Sequence, residues 1–324
     1  MLSKKIAQKR SELYKQIRVF FDEQGFTEVE TPIMVESPGM EPHLTPFETT
    51  LNIQNQPPKA LYLNTSPELQ MKKLLAANFG NIHTITKVFR NGETGGPMHN
   101  PEFTMLEWYR TKADYFDIME DCENLINHLI KNSFPEANLK APTPWRRIST
   151  NELFIKHCDI DLTKYRDAKS FKEIADKKGL DTKACFEWDD IFFKIFLNNI
   201  ESVLPKAPIF IYDYPSTQAA LARKSKKNPF FAERFEMYIN GIELANAFSE
   251  LIDAEEQKQR LEEEQALRRK MNKTVFDIDE EFIAALESIS QPCAGIALGV
   301  DRLLMVLTGL ESVEETLLFP LRNK

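Results

Sequence analysis

Between residues 4 and 24, Ile6, Leu13, Ile17, Phe20 and Phe21 recur at helical spacing with Lys, Arg, Gln and Glu between them. The pattern predicts an amphipathic helix that Gly25 stops. Phe26 to Thr31 then reads as a strand closed by Pro32, which has no N–H to give to a ladder and belongs at an edge or an interface. Residues 61–75 predict a short strand followed by a helix start, with Ser66 as N-cap, Pro67 at the first helical position and Glu68 in the first turn. From 131 to 145 the chain is rich in turn formers (Asn132, Ser133, Pro135, Pro142, Pro144), and 146–204 reads as mostly helical. The expectation is one domain over 1–324 carrying a helical insertion at about 132–204. Asn240-Gly241, between Phe235–Ile239 and Ile242–Leu244, predicts a hairpin with a type I′ turn in which Tyr238 pairs with Glu243. The charged run 253–272 reads as a helix with a solvated face.

Composition narrows the class. With 324 residues and 42% hydrophobic content the chain can bury a large core. No apolar run approaches the roughly 18 residues that suggest a membrane span, and Met1-Leu2-Ser3-Lys4-Lys5 leads into a polar helix instead of a signal-peptide core. The four cysteines (Cys122, Cys158, Cys185, Cys293) form no Cys-x-x-Cys pair, so reduced thiols in a cytoplasmic protein are expected and a structural zinc site is not. A net charge of −8 offers no general attraction to nucleic acid.

Two blocks carry candidate chemistry. Phe89-Arg90-Asn91 precedes His99-Asn100-Pro101-Glu102-Phe103-Thr104, and Gly299-Val300-Asp301-Arg302 lies near the C-terminus. Guanidinium groups bind phosphate oxygens in bidentate fashion, and an aromatic face with an arginine plane can sandwich a purine. Read alone, a surface salt bridge beside a core Phe explains the first block equally well. In the hairpin, Glu236 and Glu243 fall on one face of neighbouring strands. Two such carboxylates repel unless a cation lies between them, and Mg²⁺ suits oxygen ligands completed by substrate phosphates. An exposed sheet face is the plainer alternative. The Walker A pattern is absent.

These blocks resemble motifs 2 and 3 of the class II aminoacyl-tRNA synthetases, in the lysine-activating branch, and the helix–strand–Pro32 block resembles the dimer-forming motif 1. The resemblance covers residues 6 to 322 apart from 132–204. It implies an α+β fold, an antiparallel sheet flanked by helices, in a homodimer. It also implies that Arg90 bridges the ATP α-phosphate and the amino-acid carboxylate, that Phe103 stacks on adenine, and that Arg302 covers the other side and binds the γ-phosphate. Asn91, Gly92, Glu93, His99, Asn100, Glu243, Leu244 and Gly299 would complete the ATP site, with Glu236 and Glu243 holding Mg²⁺. Glu250 and Tyr109 match the residues that hold the ε-ammonium of lysine. Ser66, Pro67 and Glu68 match the segment that meets the amino group at the reacting end.

Three departures sharpen the resemblance. The chain begins at motif 1, with no anticodon-reading barrel before it. The motif 2 loop Gly92-Glu93-Thr94-Gly95-Gly96-Pro97-Met98 is one residue longer than the family pattern, with Gly92 where a Glu usually follows Arg-Asn. Motif 3 has Ala297 where lysyl-tRNA synthetases have Gly. With Glu107-Trp108-Tyr109 and Gln291-Pro292-Cys293-Ala294-Gly295, the first and third features look like the free-standing elongation factor P (R)-β-lysine ligase family. That family implies activation of lysine, preferably (R)-β-lysine, as the adenylate and its transfer to the ε-amino group of a lysine on elongation factor P. The rivals are a truncated synthetase that acylates tRNA and a catalytically dead paralogue that only binds. Retention of Arg90, Glu236, Glu243, Glu250 and Arg302 speaks against the second.

Overall fold

In a computed structural model, residues 3–93, 96–137, 139 and 143–321 are described. The chain forms two compact units, one from 1–138 with 249–324 and the other from 139–248.

The first unit opens with α1 (Lys4–Glu23), capped by the Ser3 hydroxyl accepting from the Ile6 N–H. Its buried stripe of Leu13, Ile17, Phe20 and Phe21 matches the helical period. Gly25, at φ +74°, reverses the chain, which is why glycine ends this helix. The expected strand after it is short: only β1 (Thr27–Glu28) joins a ladder. A small antiparallel sheet follows, with β4 (Lys59–Leu63) between β2 (Met34–Val35) and β3 (Glu48–Leu51).

Helix α2 (Glu68–Ala76) starts one residue later than expected. Pro67 takes the cap position, and the Ser66 hydroxyl accepts from the Glu68 N–H at 3.1 Å. The large sheet of this unit is built on β5 (Ile82–Phe89) and β6 (Glu102–Thr111), an antiparallel pair whose turn is the motif 2 loop. β1 pairs parallel with β5. Phe21 of α1 stacks on His83 of β5 and packs against Trp108 of β6, and α3 (Tyr115–Asn132) closes this part of the unit through Asp121, which accepts from the Trp108 indole and from Arg110.

The second unit has its own four strands. β7 (Arg146–Ser149) runs parallel to β8 (Ile209–Pro215), and β9 (Phe231–Ile239) pairs antiparallel with β8 and with β10 (Ile242–Ser249). Between β7 and β8 lie α4 (Thr150–Cys158), α5 (Ala168–Lys177) and α6 (Trp188–Ile195). An aromatic core of Phe154, Phe171, Trp188, Phe192 and Phe196 holds these helices to Tyr214 and Tyr238. The hairpin turns at Asn240-Gly241, both at positive φ, and Tyr238 pairs with Glu243 as its sequence predicts. Leu244 is an extra, bulged residue that the pattern did not reveal. It puts Asn246 opposite Glu236.

The chain then returns to the first unit. Helix α7 (Ala254–Lys270) spans the charged run but is not solvated all round: Gln257, Leu261 and Arg268 are buried. Arg268 donates to the carbonyls of Glu41, Leu44 and Thr274, pinning the loop before β3. α8 (Glu280–Leu286), β11 (Cys293–Gly299), α9 (Val300–Thr308) and the single turn α10 (Val313–Thr316) complete the fold. β11 pairs antiparallel with β6 along its full length, so the motif 2 and motif 3 strands are neighbours. The antiparallel pairing expected from the sequence describes the inner strands, while the parallel pairs β1–β5 and β7–β8 depart from it. Among the described residues, the large sheet of the first unit has four strands and the sheet of the second unit has four.

Candidate active site

The β5–β6 turn and the start of α9 bring the two candidate arginines to one region of the first unit. Arg90 follows β5 directly, its N–H donating to the Pro101 carbonyl at 2.9 Å, while Asn91 N–H donates to Thr45. The Arg90 guanidinium lies 5.3 Å from the Phe103 ring centroid, donates to the Thr65 carbonyl, and stands 3.6 Å from Glu93. Gly92 has φ +89°, a conformation that a Glu at this position would strain, which accounts for glycine after Arg-Asn. Thr94 and Gly95 lie outside the described residues. Gly299 caps α9, so Arg302 sits in its first turn. Arg302 donates to the Met98 carbonyl at 3.2 Å, and its Nη2 is 2.9 Å from His99 Nε2. An arginine can only donate, so that imidazole nitrogen is the acceptor. Burial and the Arg302 charge lower the His99 pKa and keep the ring neutral. Asn100 holds the loop by donating to Glu102 and accepting from Leu321.

A second cluster lies on the face shared by β6 and β11. The register sets Tyr109 opposite Gly295 and Glu107 opposite Ala297, and directly opposed residues share a face. Glu107 is buried and accepts from the Ser66 hydroxyl at 2.6 Å and the Tyr109 hydroxyl at 3.0 Å. Its pKa is pushed up to about 8, first by burial and then by Glu68. Glu68 and Glu250 flank the Lys72 ammonium, each at 2.6 Å. Burial raises the Glu250 pKa despite Lys72, with Glu68 adding to the effect. The Tyr109 phenol is raised for the same reasons, burial first and Glu107 next. Gly295 allows this crowding: a Cβ there would overlap the Tyr109 ring and lie 2.6 Å from Glu250 Oε1. The chemistry of such a cluster suits cations. A carboxylate that is costly to ionise when buried becomes favourable once an ammonium is beside it.

Sequence reasoning singled out Ser66, Pro67, Glu68, Tyr109, Glu250 and Ala297, which the first unit gathers around α2, β6 and β11. It missed Glu107 and Lys72. Both were readable in principle: Glu107 is two residues before Tyr109 on a strand and so faces the same way, and Lys72 is one helical turn beyond Glu68.

Glu236, Glu243 and Leu244 belong to the second unit. Leu244 is buried, whereas Glu236 accepts from Arg234 and Tyr214 at 2.6 Å and from Tyr238 at 2.8 Å. The phenols of Tyr214 and Tyr238 are raised by burial first, then by Glu236, with Glu243 contributing to both. The two carboxylates thus act on the same pair of hydroxyls. Their all-oxygen chemistry fits a hard cation. Among the described residues, no group of three or more His, Cys, Asp or Glu could hold a metal. A cation on this pair would therefore draw further oxygens from substrate or water.

An inner antiparallel ladder with one arginine after its first hairpin strand and another in the helix after its last strand defines a class II synthetase catalytic domain. The chain matches the family model described as tRNA synthetases class II (D, K and N) over residues 2–323, and it belongs to that family. Among its relatives is the elongation factor P–(R)-β-lysine ligase of Proteus mirabilis, 40% identical, with 96% of this chain and 94% of that one covered. The ligase of the same name from Hamiltonella defensa is 39% identical, with 97% and 94% covered. A lysine–tRNA ligase from Carboxydothermus hydrogenoformans is 37% identical over 96% of this chain but 64% of its own length.

Proposed function

We propose that this chain activates a lysine, preferably (R)-β-lysine, with ATP and transfers the acyl group to the ε-amino group of a lysine on elongation factor P. The observation that carries the reading is the buried acidic cluster of Glu68, Glu107 and Glu250 on the face that also bears Tyr109 and Ala297. A diamine supplies two ammoniums to such a cluster. An aspartate- or asparagine-type substrate would need a cation to meet its side chain, whereas the ammonium here, Lys72, is already engaged by Glu68 and Glu250. The ligase name shared by the relatives that match this chain over nearly their whole length supports the same acceptor.

In the first step, a substrate carboxylate oxygen bonds to the α-phosphorus while the α–β phosphoanhydride bond breaks and pyrophosphate leaves. Arg90 is proposed to bridge the carboxylate and the α-phosphate, so that both reactants are held together and the negative charge that builds is met by a fixed cation. Phe103 takes the adenine ring, with Arg302 on its other face. Arg302 donates to Met98 and to neutral His99, contacts it would exchange for phosphate oxygens. Asn91, Gly92, Glu93, Asn100, Leu244 and Gly299 are assigned to the nucleotide, while Glu236 and Glu243 would hold Mg²⁺, which supplies positive charge against the triphosphate. Ser66, Pro67 and Glu68 receive the inner amine, and Tyr109 and Glu250 the ε-ammonium. In the second step the acceptor amine bonds to the acyl carbon, AMP leaves and the amine loses a proton. Because AMP is a good leaving group, positioning carries most of this step.

The proposed working form is a homodimer in the cytoplasm. Among the described residues no helix is long and apolar enough to cross a membrane, and all four cysteines are free and buried. Incubation with ATP, labelled (R)-β-lysine and either elongation factor P or tRNA tests the reading. Label is expected on the protein. Label on tRNA alone would favour the synthetase alternative, and no ATP–pyrophosphate exchange with any lysine would reject both.

A further inference from the structure

Lys72 has no part in the steps above, yet it sits at their centre. Its side chain is 1% exposed, and Nζ lies 2.6 Å from Glu68 Oε1 and 2.6 Å from Glu250 Oε2. The Phe282 ring of α8 stands 5.9 Å away. Burial opposes the charge of this amine, but Glu250 and Glu68 outweigh it and hold it as an ammonium. The pocket proposed for a lysine ammonium therefore already contains one.

We propose that Lys72 is a specificity-determining positioning residue, whose ammonium pins Glu68 and Glu250 to a common point and so fixes the spacing of the carboxylate oxygens left for a diamine. The proposal deepens the lysine-class reading of this site and rests on it. Each carboxylate gives one oxygen to Lys72. Glu250 Oε1 has no hydrogen-bond donor among the described residues, and a buried acceptor of this kind is costly unless a ligand supplies the donor. Charge points the same way. Three acid groups, Glu68, Glu107 and Glu250, stand with the one ammonium of Lys72, so each further ammonium that enters meets a carboxyl group. α-Lysine and β-lysine carry the same two charges and differ by one carbon in the place of the inner amine. Charge alone cannot separate them, whereas fixed spacing can.

An ordinary structural ion pair is the rival, and three substitutions separate the two. Lys72→Met keeps most of the stem and removes the charge, Lys72→Arg keeps the charge but moves its centre, and Lys72→Ala leaves space for an added alkylammonium. In ATP–pyrophosphate exchange, Lys72→Met is expected to raise KM for (R)-β-lysine by about thirtyfold or more while KM for ATP stays within about threefold. Lys72→Arg should shift the ratio of kcat/KM for the two isomers by about fivefold or more, within the range that one methylene contributes in other pockets. Ethylammonium, and not tetramethylammonium, should restore activity to Lys72→Ala. If Lys72→Met fails to fold, Lys72→Arg decides. An isomer ratio within about twofold of wild type in every folded variant would overturn the positioning role and leave the lysine reading intact. A wild-type protein inactive with both isomers would overturn that reading and the role with it.

Discussion

Gly295 faces Tyr109 across the β6–β11 ladder, and a methyl group there would overlap the Tyr109 ring and crowd Glu250. Gly295→Ala should therefore cost about 1–3 kcal/mol through overpacking, and should raise KM for lysine more than KM for ATP. Thermal unfolding and exchange kinetics on one preparation would show both. Two residues along, Ala297 stands opposite Glu107, so its methyl group helps shape the floor of the same pocket. Ala297→Gly should increase α-lysine use relative to β-lysine by a factor corresponding to ~1–3 kcal/mol. An unchanged kcat/KM ratio would make Ala297 a packing residue. Glu107 adds a pH dependence, because burial, with Glu68 behind it, holds its proton up to about 8. Between its unfolded value of about 4.5 and that pH the folded chain keeps a proton that the unfolded chain has lost, so its contribution to stability falls as pH rises. A bound ammonium favours the ionised form and releases the proton. Stabilisation by lysine, read as the shift in Tm, should thus be larger at pH 8.5 than at pH 6.5. Glu68, Glu250, Ser66 and Tyr109 face the same group, so Glu107→Gln should reduce the difference without abolishing it.

Three elements converge on Asp301 in the first turn of α9. Its Oδ1 lies 2.6 Å from Arg10 of α1, and its Oδ2 accepts the Thr104 N–H of β6 at 2.6 Å. Arg10 also donates to the Thr316 carbonyl of α10. Asp301 therefore sets the angle at which Arg302 leaves the helix and the position of the strand that carries Phe103. Asp301→Ala leaves Arg10 partly buried without its carboxylate, and Arg10→Met leaves the more deeply buried Asp301 without its cation, so each should cost roughly 3–5 kcal/mol. Denaturant titrations of the two variants would check both costs. Such ties were not legible in the sequence. Periodicity gave α1, the hairpin and the Tyr238–Glu243 register, because these depend on local spacing and on Asn-Gly turn chemistry. The bulge at Leu244 escaped it, since no residue type demands a bulge there. Arg268 read as one more charge on a solvated helix, and only the loop that comes to meet it shows why it is buried. Glu68 and Lys72, one helical turn apart, are an i,i+4 pair. Glu250, 182 residues beyond Glu68 in the chain, changes that pair into a site.

At the scale of the whole molecule, the first unit exposes several large apolar side chains. Phe319 is 84% exposed and Leu321 61%, and Ile33 and Met34 beside Pro32 are exposed as well. Phe319 and Leu321 border a cavity of about 580 Å³ that is also lined by Arg10, Tyr14 and Phe89. Scattered apolar residues on a surface need no explanation, but aromatic and aliphatic side chains grouped around an apolar cavity do. A second copy of the chain packed there in two-fold symmetry would bury each patch against its equivalent, and a stable interface of this kind covers about 1,200–2,000 Å² in total. The expected solution mass is therefore twice the 37.5 kDa of the chain at micromolar concentration. Phe319→Glu should shift the population towards the single chain, because a charge would enter an apolar contact on both sides of the symmetry axis at once. Sedimentation equilibrium of the wild-type protein at the mass of one chain would remove the dimer from the proposal. A wild-type dimer that Phe319→Glu leaves intact would instead move the interface to another face.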